Sequence, residues 1–467
     1  MTTEASLAGR RMHELLVELF PICRSITGDG VRATLRAIER HVPLDWHEVP
    51  TGTRVLDWTI PNEWNIRDAW VKDPTGRTIA AFRDSNLHVV SYSAPMHRHL
   101  TLAELRPHLF SLPERPAWIP YRTSYHDENW GFCLAHRVVE QLVDGDYEVL
   151  IDSTLAPGSL SYAECVLPGT DTAEVLFACH ICHPSMANDS LSGVVLTTFL
   201  AEAMARRTRR YTYRFLFAPA TIGAIAWLAT QGALVDRVLH GVVLTCVGDP
   251  GPLTYKRSRR GAAEIDHAVL QVLRDRHVEH RVVEFTPYGG DERQFCSPGY
   301  DLAVGALTRT PYGEYPEYHT SADTPALVTP AALGDSLDVC LGVIDVLESN
   351  GRYLNLSPYG EPELGRRGLF RAISGNVDAS SPEVALLWVL NYADGHHTLL
   401  DVAARSGLSF DRIREAARVL NEHALVKEIP DGRLEMGSPR TTLEAQQVQQ
   451  VHQVHQVHQV TKGTSQA

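Results

Sequence analysis

The sequence has no excess of positive charge. Its 467 residues include 43 Lys and Arg against 56 Asp and Glu, which gives a formal net charge of −13. Because the phosphate backbone of a nucleic acid attracts clustered Lys and Arg, this balance argues against nucleic acid as the partner.

Long apolar runs and closely spaced cysteines are also missing. No stretch approaches the ~18 consecutive apolar residues that span a bilayer, and the opening residues MTTEASLAGRRMHELL lack the apolar core of a signal peptide. Eight cysteines in a chain of this length are typical of reduced thiols rather than of a disulfide framework. We therefore expect a cytoplasmic protein with no membrane partner.

The composition and patterning predict a folded chain with several domains. A chain of 467 residues with an apolar fraction of 44% corresponds to about two to four domains. Apolar residues at helical spacing predict helices over 8–20 and 29–42. Short alternating runs punctuated by Pro and Gly predict a separate β-rich unit over 49–128.

Beyond that unit, predicted strands alternate with predicted helices, in the order strand 174–180, helix 191–207, strand 213–219, helix 222–234 and strand 241–247. Such alternation predicts an α/β fold with a mainly parallel, mixed sheet flanked by helices, and ligand sites at the carboxyl ends of its strands. We therefore expect chemistry near residues 180–190, 219–222 and 248–250.

A winged-helix layout of helix, helix, turn, helix and strand covers residues 383–429. Its longest helix mixes arginines with acidic residues, so a packing or dimerisation module is favoured over a DNA-reading one, and a homo-oligomer stays open. Residues 441–467 contain Val-His-Gln three times and are predicted to be a disordered, low-complexity tail. Weak metal binding by the histidines of the tail is the alternative.

Three interpretations compete for Cys179-His-Ile-Cys-His183, at the end of the first predicted strand of the α/β region. The spacing matches covalent haem attachment, but no export signal accompanies it. A zinc knuckle needs a second Cys or His pair, and none is evident. In the third interpretation His183 and Asp189, which flank a loop at a strand end, bind one cation.

Two further polar residues strengthen the cation hypothesis. Asp249 follows a buried strand, where a carboxylate needs solvent, a partner or a metal. His319 lies in a polar segment farther along the chain. Each residue alone is typical of a structural hydrogen bond, but together with His183 and Asp189 they form a ligand set that zinc prefers.

The motifs around these residues resemble those of di-zinc aminopeptidases. Asn188-Asp189-Ser-Leu-Ser-Gly resembles the loop that supplies the bridging aspartate, and Tyr318-His319-Thr-Ser-Ala-Asp-Thr resembles the late loop with a zinc histidine. From about residue 15 to 430 the chain is similar to a bacterial family of aminopeptidase-like proteins, often labelled polysaccharide biosynthesis proteins. The shared stretches include Phe20-Pro-Ile-Cys-Arg-Ser-Ile-Thr-Gly, Cys-His-Pro-Ser-Met-Ala-Asn-Asp and Gly290-Asp-Glu-Arg-Gln-Phe-Cys-Ser-Pro-Gly.

The resemblance implies a domain plan. Residues 1–48 plus 129–355 would form an aminopeptidase-like catalytic domain, interrupted by a β-rich insertion over 49–128. Residues 365–440 would form a winged-helix domain at the C-terminal side, and the tail over 441–467 would follow it.

The resemblance also implies a site for one or two zinc ions. His183 and Asp249 would hold one ion, His319 would hold a second, and Asp189 would bridge the two. Zinc in such a site polarises an amide carbonyl and deprotonates a water molecule near neutral pH.

Two neighbouring carboxylates gain a role from the same resemblance. Asp291 resembles a residue that orients a metal-binding histidine. Glu292 is a catalytic or substrate-facing residue in one interpretation and a salt-bridge partner in the other.

One position departs from the family. Where the family reads Pro-Glu-Thr-Ile-Gly, this chain reads Pro-Ala220-Thr-Ile-Gly. In the superfamily this strand end supplies a zinc ligand and the general base, and alanine can do neither. Three explanations are open: natural loss of activity, a deliberate change that traps substrate, or a mononuclear site whose base is Glu292, Glu314 or Glu317.

A cluster of cations follows Asp249 in the sequence and suggests recognition of an anionic substrate. The alternative is a solvated basic loop paired with nearby acidic residues. The predicted substrate-binding residues are Lys256, Arg257, Arg259, Arg309 and Tyr312.

Together these features predict a zinc-dependent, aminopeptidase-like hydrolase. The predicted substrate contains an amide bond in a small peptide, an aminoacylated metabolite or an amino-sugar derivative. One alternative is a catalytically inactive, metal-stabilised binding or assembly protein. Another is a ligand-sensing regulator that acts through its winged helix.

Overall fold

The computed structural model describes residues 3–125, 127–369 and 381–429. The chain forms two compact units, one over 1–348 and the other over 349–467, and each is described by itself. The predicted tail over 441–467 and the last part of the predicted winged-helix domain lie outside the described residues.

The described residues contain helices and strands of very different lengths. In chain order, the helices are α1 (Thr3–Leu19), α2 (Asp29–Glu39), α3 (Leu102–Leu105), α4 (His136–Val139), α5 (Gly193–Ala205), α6 (Ile222–Gln231), α7 (Glu264–Asp275), α8 (Glu292–Phe295), α9 (Pro330–Ser349), α10 (Pro382–Tyr392), α11 (Leu399–Ser406) and α12 (Phe410–Glu422). The strands are β1 (Asp45–Pro50), β2 (Arg54–Val55), β3 (Trp58–Thr59), β4 (Glu63–Lys72), β5 (Thr78–Ala81), β6 (Met96–Thr101), β7 (Leu109–Phe110), β8 (Phe132–Cys133), β9 (Asp146–Ala156), β10 (Ser159–Leu167), β11 (Glu174–His180), β12 (Thr212–Ala218), β13 (Val238–Leu244), β14 (Leu253–Lys256), β15 (His280–Val283), β16 (Val304–Thr308), β17 (Arg352–Asn355), β18 (Asp394–Thr398) and β19 (Val426–Ile429).

The first unit is built on an eight-stranded mixed sheet. Its strand order is β1-β10-β12-β11-β13-β16-β14-β15, and β11 runs parallel to both of its neighbours. Every residue of β11 is buried, as expected for a parallel strand covered on both faces. The predicted α/β fold with a mixed sheet flanked by helices is confirmed.

The register of this sheet brings two strand ends together. His180, the last residue of β11, pairs with Ala218, the last residue of β12. The helix that follows β11 begins at Gly193, where a Cβ would lie 2.2 Å from the carbonyl oxygen of Leu244. The absent side chain therefore lets α5 begin close against β13.

The inserted β-rich segment forms a four-stranded sheet in the order β5-β4-β9-β6. Its core includes Val71, Phe132, Tyr147 and Val149. The predicted insertion ended at residue 128, but β9 pairs with β4 and β6 and extends the segment to Ala156. Local patterning misses this because β4 and β9 are separated by more than seventy residues of chain.

The second unit contains α10, α11, α12 and a three-stranded sheet in the order β18-β17-β19, which agrees with the predicted winged helix. The predicted catalytic domain ran to residue 355, but β17 pairs with β18 and β19 and so belongs to this second unit. On α12, Arg414 pairs with Asp411, and Arg418 pairs with Glu415. These internal ion pairs give no support to a DNA-reading role.

The cysteines and the apolar segments of the sequence can be compared directly with the structure. All eight cysteines are free, and seven of them are buried. Among the residues that the structure describes, no helix combines the length and apolarity needed to cross a membrane.

Candidate metal centre

The candidate metal centre is formed where β11 ends and the chain turns towards α5. His180 Nε2 lies 2.9 Å from Asp189 Oδ1 in hydrogen-bond geometry, and His183 Nε2 lies 3.8 Å from Asp189 Oδ2. A ligand atom from each of these three residues lies within 4.8 Å of the other two. The side chain of Asp189 is almost completely buried, at 4% exposure.

His319 approaches the same carboxylate from a distant part of the chain. Its Nε2 lies 2.9 Å from Asp189 Oδ2, yet both atoms are buried without a hydrogen-bond partner. Ligand atoms around a tetrahedral zinc ion lie about 3.3 Å apart, so distances of 2.9 Å and 3.8 Å from Oδ2 to the two histidines fit a shared cation. The donor set of histidine nitrogens and one carboxylate is one that zinc accepts.

Asp323 joins the two halves of this centre. Its carboxylate accepts hydrogen bonds from the backbone N–H groups of Asn188, at 2.6 Å, and of Asp189, at 3.0 Å. Burial raises the pKa of Asp323 to about 7, although these N–H groups oppose the shift. The late motif that contains His319 therefore also fixes the backbone of the loop that carries Asp189.

Burial and neighbouring charge set the protonation of the cluster. Burial lowers the pKa of His183 to about 3, so its imidazole is neutral and its lone pair is available. Burial also disfavours the charged form of His180, but the hydrogen bond and charge of Asp189 outweigh this and raise its pKa. The pKa of Asp189 lies well below its usual value because three histidines overcome the effect of burial.

His180 was not among the predicted metal ligands, whereas Asp249 was. The signal for His180 was its place as the last residue of a buried strand. The Asp249 carboxylate accepts hydrogen bonds from Asn188 Nδ2 at 3.0 Å and from the hydroxyl of Thr310 at 2.7 Å. A backbone N–H of Gly251 adds a third at 2.8 Å. Structural partners thus use both of its oxygens.

Ala220 lies at the neighbouring strand end, two residues beyond β12. Its backbone N–H donates to Cys182 Sγ over 3.3 Å, and its side chain packs against the hydrophobic core of the sheet. A methyl group provides neither a metal ligand nor a proton acceptor, so the structure leaves this strand end without the family carboxylate.

Asp291 and Glu292 lie together at the start of α8. Asp291 Oδ1 and Glu292 Oε2 are buried without hydrogen-bond partners. Burial raises the pKa of Asp291 to about 6, and the charge of His180 opposes the shift. Glu292 Oε1 accepts a hydrogen bond from Lys256 Nζ over 2.9 Å. Glu292 is therefore a salt-bridge partner through Oε1, while its Oε2 makes no hydrogen bond.

The arginine side chains that were predicted to bind an anionic substrate are paired with other groups of the protein. Arg257 lies 3.2 Å from Glu284, and Arg259 lies 2.7 Å from Asp301. Arg309 is buried and donates to the backbone carbonyls of residues 251 and 332. These contacts favour the alternative of a basic loop paired with acidic residues.

Tyr312 contributes instead to a polar cluster beside Glu292. A Cβ added to Gly289 would lie 2.1 Å from Glu292 Oε1, 2.5 Å from the Tyr312 hydroxyl and 2.7 Å from Lys256 Nζ. The three polar groups therefore converge beside the backbone of Gly289, where a larger residue would displace at least one of them. Lys256 and Tyr312, both predicted to bind substrate, thus lie next to a carboxylate of the protein itself.

Comparisons with known proteins place the chain in a family. Residues 13–350 match the family described as a domain of unknown function, DUF4910, and residues 351–428 match a winged helix-turn-helix family. A Clostridium acetobutylicum protein with the provisional name polysaccharide biosynthesis protein with aminopeptidase-like domain is 49% identical over 423 residues, which cover 91% of this chain and 97% of that protein.

Solved structures agree with this placement. The crystal structure of a provisionally assigned peptidase from Clostridium acetobutylicum matches with a TM-score of 0.86 at 47% identity, over 91% of this chain and 98% of that one. The zinc aminopeptidase BSAP of Bacillus subtilis matches with a TM-score of 0.54 at 11% identity, over 73% and 94% of the two chains, and this likeness shows the fold alone. The chain therefore belongs to the DUF4910 family of aminopeptidase-like proteins, and its residues 351–428 form a winged-helix domain.

Proposed function

We propose that the protein is a zinc-dependent hydrolase that cleaves an amide bond and holds one zinc ion through His183, His319 and Asp189. The observation that carries the proposal is the close approach of Asp189 Oδ2 and His319 Nε2, which lie 2.9 Å apart without a hydrogen bond. Buried polar atoms in native proteins almost always have partners, so two facing lone-pair donors fit a cation bound to both.

His180 has a different part in this proposal. It hydrogen-bonds Asp189 Oδ1 and leaves Oδ2 directed towards His319. Residues that orient a ligating carboxylate in this way tune metal affinity without touching the ion. Three protein ligands with one open position are typical of catalytic zinc sites, whereas structural sites use four.

Bound in this site, zinc supplies Lewis-acid polarisation of a carbonyl and a water molecule of lowered pKa. We assign Asp291 to accept the proton of the attacking water, because its buried Oδ1 has no partner and Ala220 cannot do so. Glu292 is the second candidate, since Lys256 already holds one of its oxygens.

The surroundings of His319 support a small substrate. Tyr318 stacks on the His319 imidazole with ring centroids 3.9 Å apart. Tyr318 also lines an open hollow of about 500 Å³, together with Tyr315 and Arg115. The hollow leaves one side of Tyr318 open to a substrate, for which we propose a short peptide, an aminoacylated metabolite or an amino-sugar derivative.

Metal analysis of the purified full chain tests the zinc site. We expect about one zinc per chain in the native protein, and below about 0.2 in His183→Ala and His319→Ala. The His180→Ala variant should still reach one zinc at saturation, but with affinity about 10- to 100-fold weaker. His240→Ala is the matched control, because His240 is a buried histidine of β13 whose ring nitrogens make no hydrogen bond.

Two outcomes would contradict the proposal. A native chain that folds normally and binds no zinc removes the site. Loss of zinc from His180→Ala to the same extent as from His183→Ala would make His180 a fourth ligand, and a closed site of four protein ligands is structural rather than catalytic.

Ala220 favours a second candidate, a metal-stabilised binding protein without turnover. Hydrolysis of a panel of aminoacyl amides and short peptides by the native chain and by Ala220→Glu separates the two. Turnover that rises in Ala220→Glu supports an impaired hydrolase. Silence of both proteins, each loaded with zinc, selects the binding protein.

A further inference from the structure

A segment of the β-rich insertion reaches the candidate metal centre. Residues 119–121 run beside residues 319–321, and Pro120 forms an antiparallel bridge with Thr320. The N–H of Tyr121 donates to the carbonyl of His319 over 2.8 Å, and the N–H of Ser321 donates to the carbonyl of Ile119 over 2.8 Å. The backbone of the proposed ligand His319 is thus paired with the insertion.

The side chain of Tyr121 packs against both histidine ligands. Its ring centroid lies 5.2 Å from that of His183 and 5.1 Å from that of His319. The two imidazole centroids are themselves 5.2 Å apart. The three rings therefore form a triangle of nearly equal sides, and Tyr121 is 7% exposed.

The hydroxyl end of Tyr121 is anchored by a second tyrosine. The Tyr121 and Tyr125 hydroxyls lie 3.0 Å apart, and Tyr125 hydrogen-bonds Ser25 and Ser91. Ser25 belongs to the stretch Phe20-Pro-Ile-Cys-Arg-Ser-Ile-Thr-Gly shared with the family, whose role the zinc proposal leaves open.

The neighbouring residue of that stretch holds the other histidine. Arg24 is completely buried, and its Nε donates to the carbonyl of His183 over 2.8 Å. The backbone of each histidine ligand thus has one external donor: Arg24 for His183 and Tyr121 for His319.

His319 needs such a constraint because of its backbone conformation. Its φ of 54° lies in the left-handed region, which a residue with a side chain adopts at a free-energy cost that the surrounding contacts must offset. The stacked Tyr318 and the N–H of Tyr121 supply those contacts.

We propose that Tyr121 is a positioning residue that sets the separation of His183 and His319, so that the β-rich insertion is a structural part of the metal centre. The proposal rests on the zinc site proposed above. It goes beyond that site by assigning its geometry to a segment which the aminopeptidase-like sheet does not contain.

Metal binding by two Tyr121 variants of the full chain tests this inference. Tyr121→Phe keeps the ring and the backbone N–H, so its zinc dissociation constant should stay within about threefold of native. Tyr121→Leu removes the ring, so the constant should rise about 10- to 100-fold, in the range found when supporting residues of metal sites are removed. The absorption spectrum of the Co²⁺-loaded protein should shift in Tyr121→Leu and stay native in Tyr121→Phe, because it reports ligand geometry.

Tyr147→Leu is the matched control for general loosening of the insertion. Tyr147 is completely buried in the core of the inserted sheet, so its loss should lower the melting temperature without changing zinc affinity or the Co²⁺ spectrum. Tyr121→Met replaces Tyr121→Leu if the latter does not fold, and it should also weaken zinc binding about 10- to 100-fold, because it too lacks the aromatic ring.

The outcomes separate this inference from the proposed function. A native chain that binds no zinc contradicts the zinc site itself, and the inference fails with it. Native affinity and spectrum in Tyr121→Leu contradict only the inference, as does an equal change in Tyr147→Leu. If Tyr121→Met is the variant that decides, unchanged affinity likewise contradicts it.

Discussion

At the scale of single residues, the centre depends on which oxygen of Asp189 each histidine faces. His180 hydrogen-bonds Oδ1, whereas His319 faces Oδ2 at 2.9 Å without a hydrogen bond. The sequence analysis identified His183, Asp189 and His319 from motifs, and their zinc role remains a proposal supported by this geometry. His180 was not identified from the sequence, because a histidine at a strand end is as typical of a structural residue as of a functional one.

Substitution of Asp291 and Glu292 tests which carboxylate accepts the proton of the attacking water. Asp291→Asn should lower kcat on aminoacyl 4-nitroanilides about 10²- to 10⁴-fold, because a carboxamide cannot accept the water proton. Glu292→Gln should have a much smaller effect, since Lys256 holds one oxygen of Glu292. Steady-state kinetics at matched zinc content measures both variants, and a larger loss in Glu292→Gln would reverse the assignment.

At the scale of elements, three strands of the main sheet are joined by a buried ion cluster. Arg214 of β12 pairs with Glu164 of β10 at 2.6 Å and with Glu174 of β11 at 2.7 Å. Trp227 of α6 donates its indole N–H to Glu164 over 2.9 Å. The three charged side chains are at most 6% exposed, so each depends on the others for compensation.

Breaking this cluster should strongly destabilise the first unit. Arg214→Leu leaves Glu164 and Glu174 buried without their cation and should lower the free energy of unfolding by about 3 to 5 kcal/mol. Arg67→Leu, which breaks the exposed ion pair of Arg67 with Asp152, should lower it only slightly, because solvent screens an exposed pair. Urea unfolding followed by circular dichroism compares them, and equal losses would show that burial of the cluster contributes nothing.

At the scale of the whole first unit, Arg32 links the main fold to the insertion. Arg32 of α2 donates to Glu63 of β4 over 2.8 and 2.7 Å, and also to Glu48 of β1 over 3.2 Å. The hydrogen bonds from Arg32 lower the pKa of Glu63 from 4.5 to about 2. The pair therefore stabilises the fold fully above pH 4.5, and this stabilisation is lost as the pH falls towards 2.

The pH dependence of Glu63→Gln checks this link. At pH 7 the variant should be less stable than native by about 1 kcal/mol, a modest value because the pair is partly exposed. The difference should shrink as the pH falls from 4.5 towards 2, since native Glu63 then becomes protonated as well. Glu18→Gln, which removes an exposed pair with Arg40, is the control and should differ little from native. A difference between native and Glu63→Gln that stays constant with pH would contradict the link.

Secondary-structure elements whose apolar pattern is local are predictable from the sequence alone. The apolar run of β11, the helical spacing of α5 and the alternation that follows specify an α/β sheet, because side-chain periodicity is set within a few residues. The motifs around Asp189 and His319 were legible for the same reason.

Which side chains and strands contact each other depends on the tertiary structure. It joined β9 to the insertion, occupied Asp249 with Asn188 and Thr310, and placed Tyr121 against two histidines. Such contacts join segments far apart in the chain, so periodicity and spacing carry no information about them. Whether a charged side chain is paired or open to a ligand depends on these distant partners, and so the function of the centre is determined by the packing of the fold.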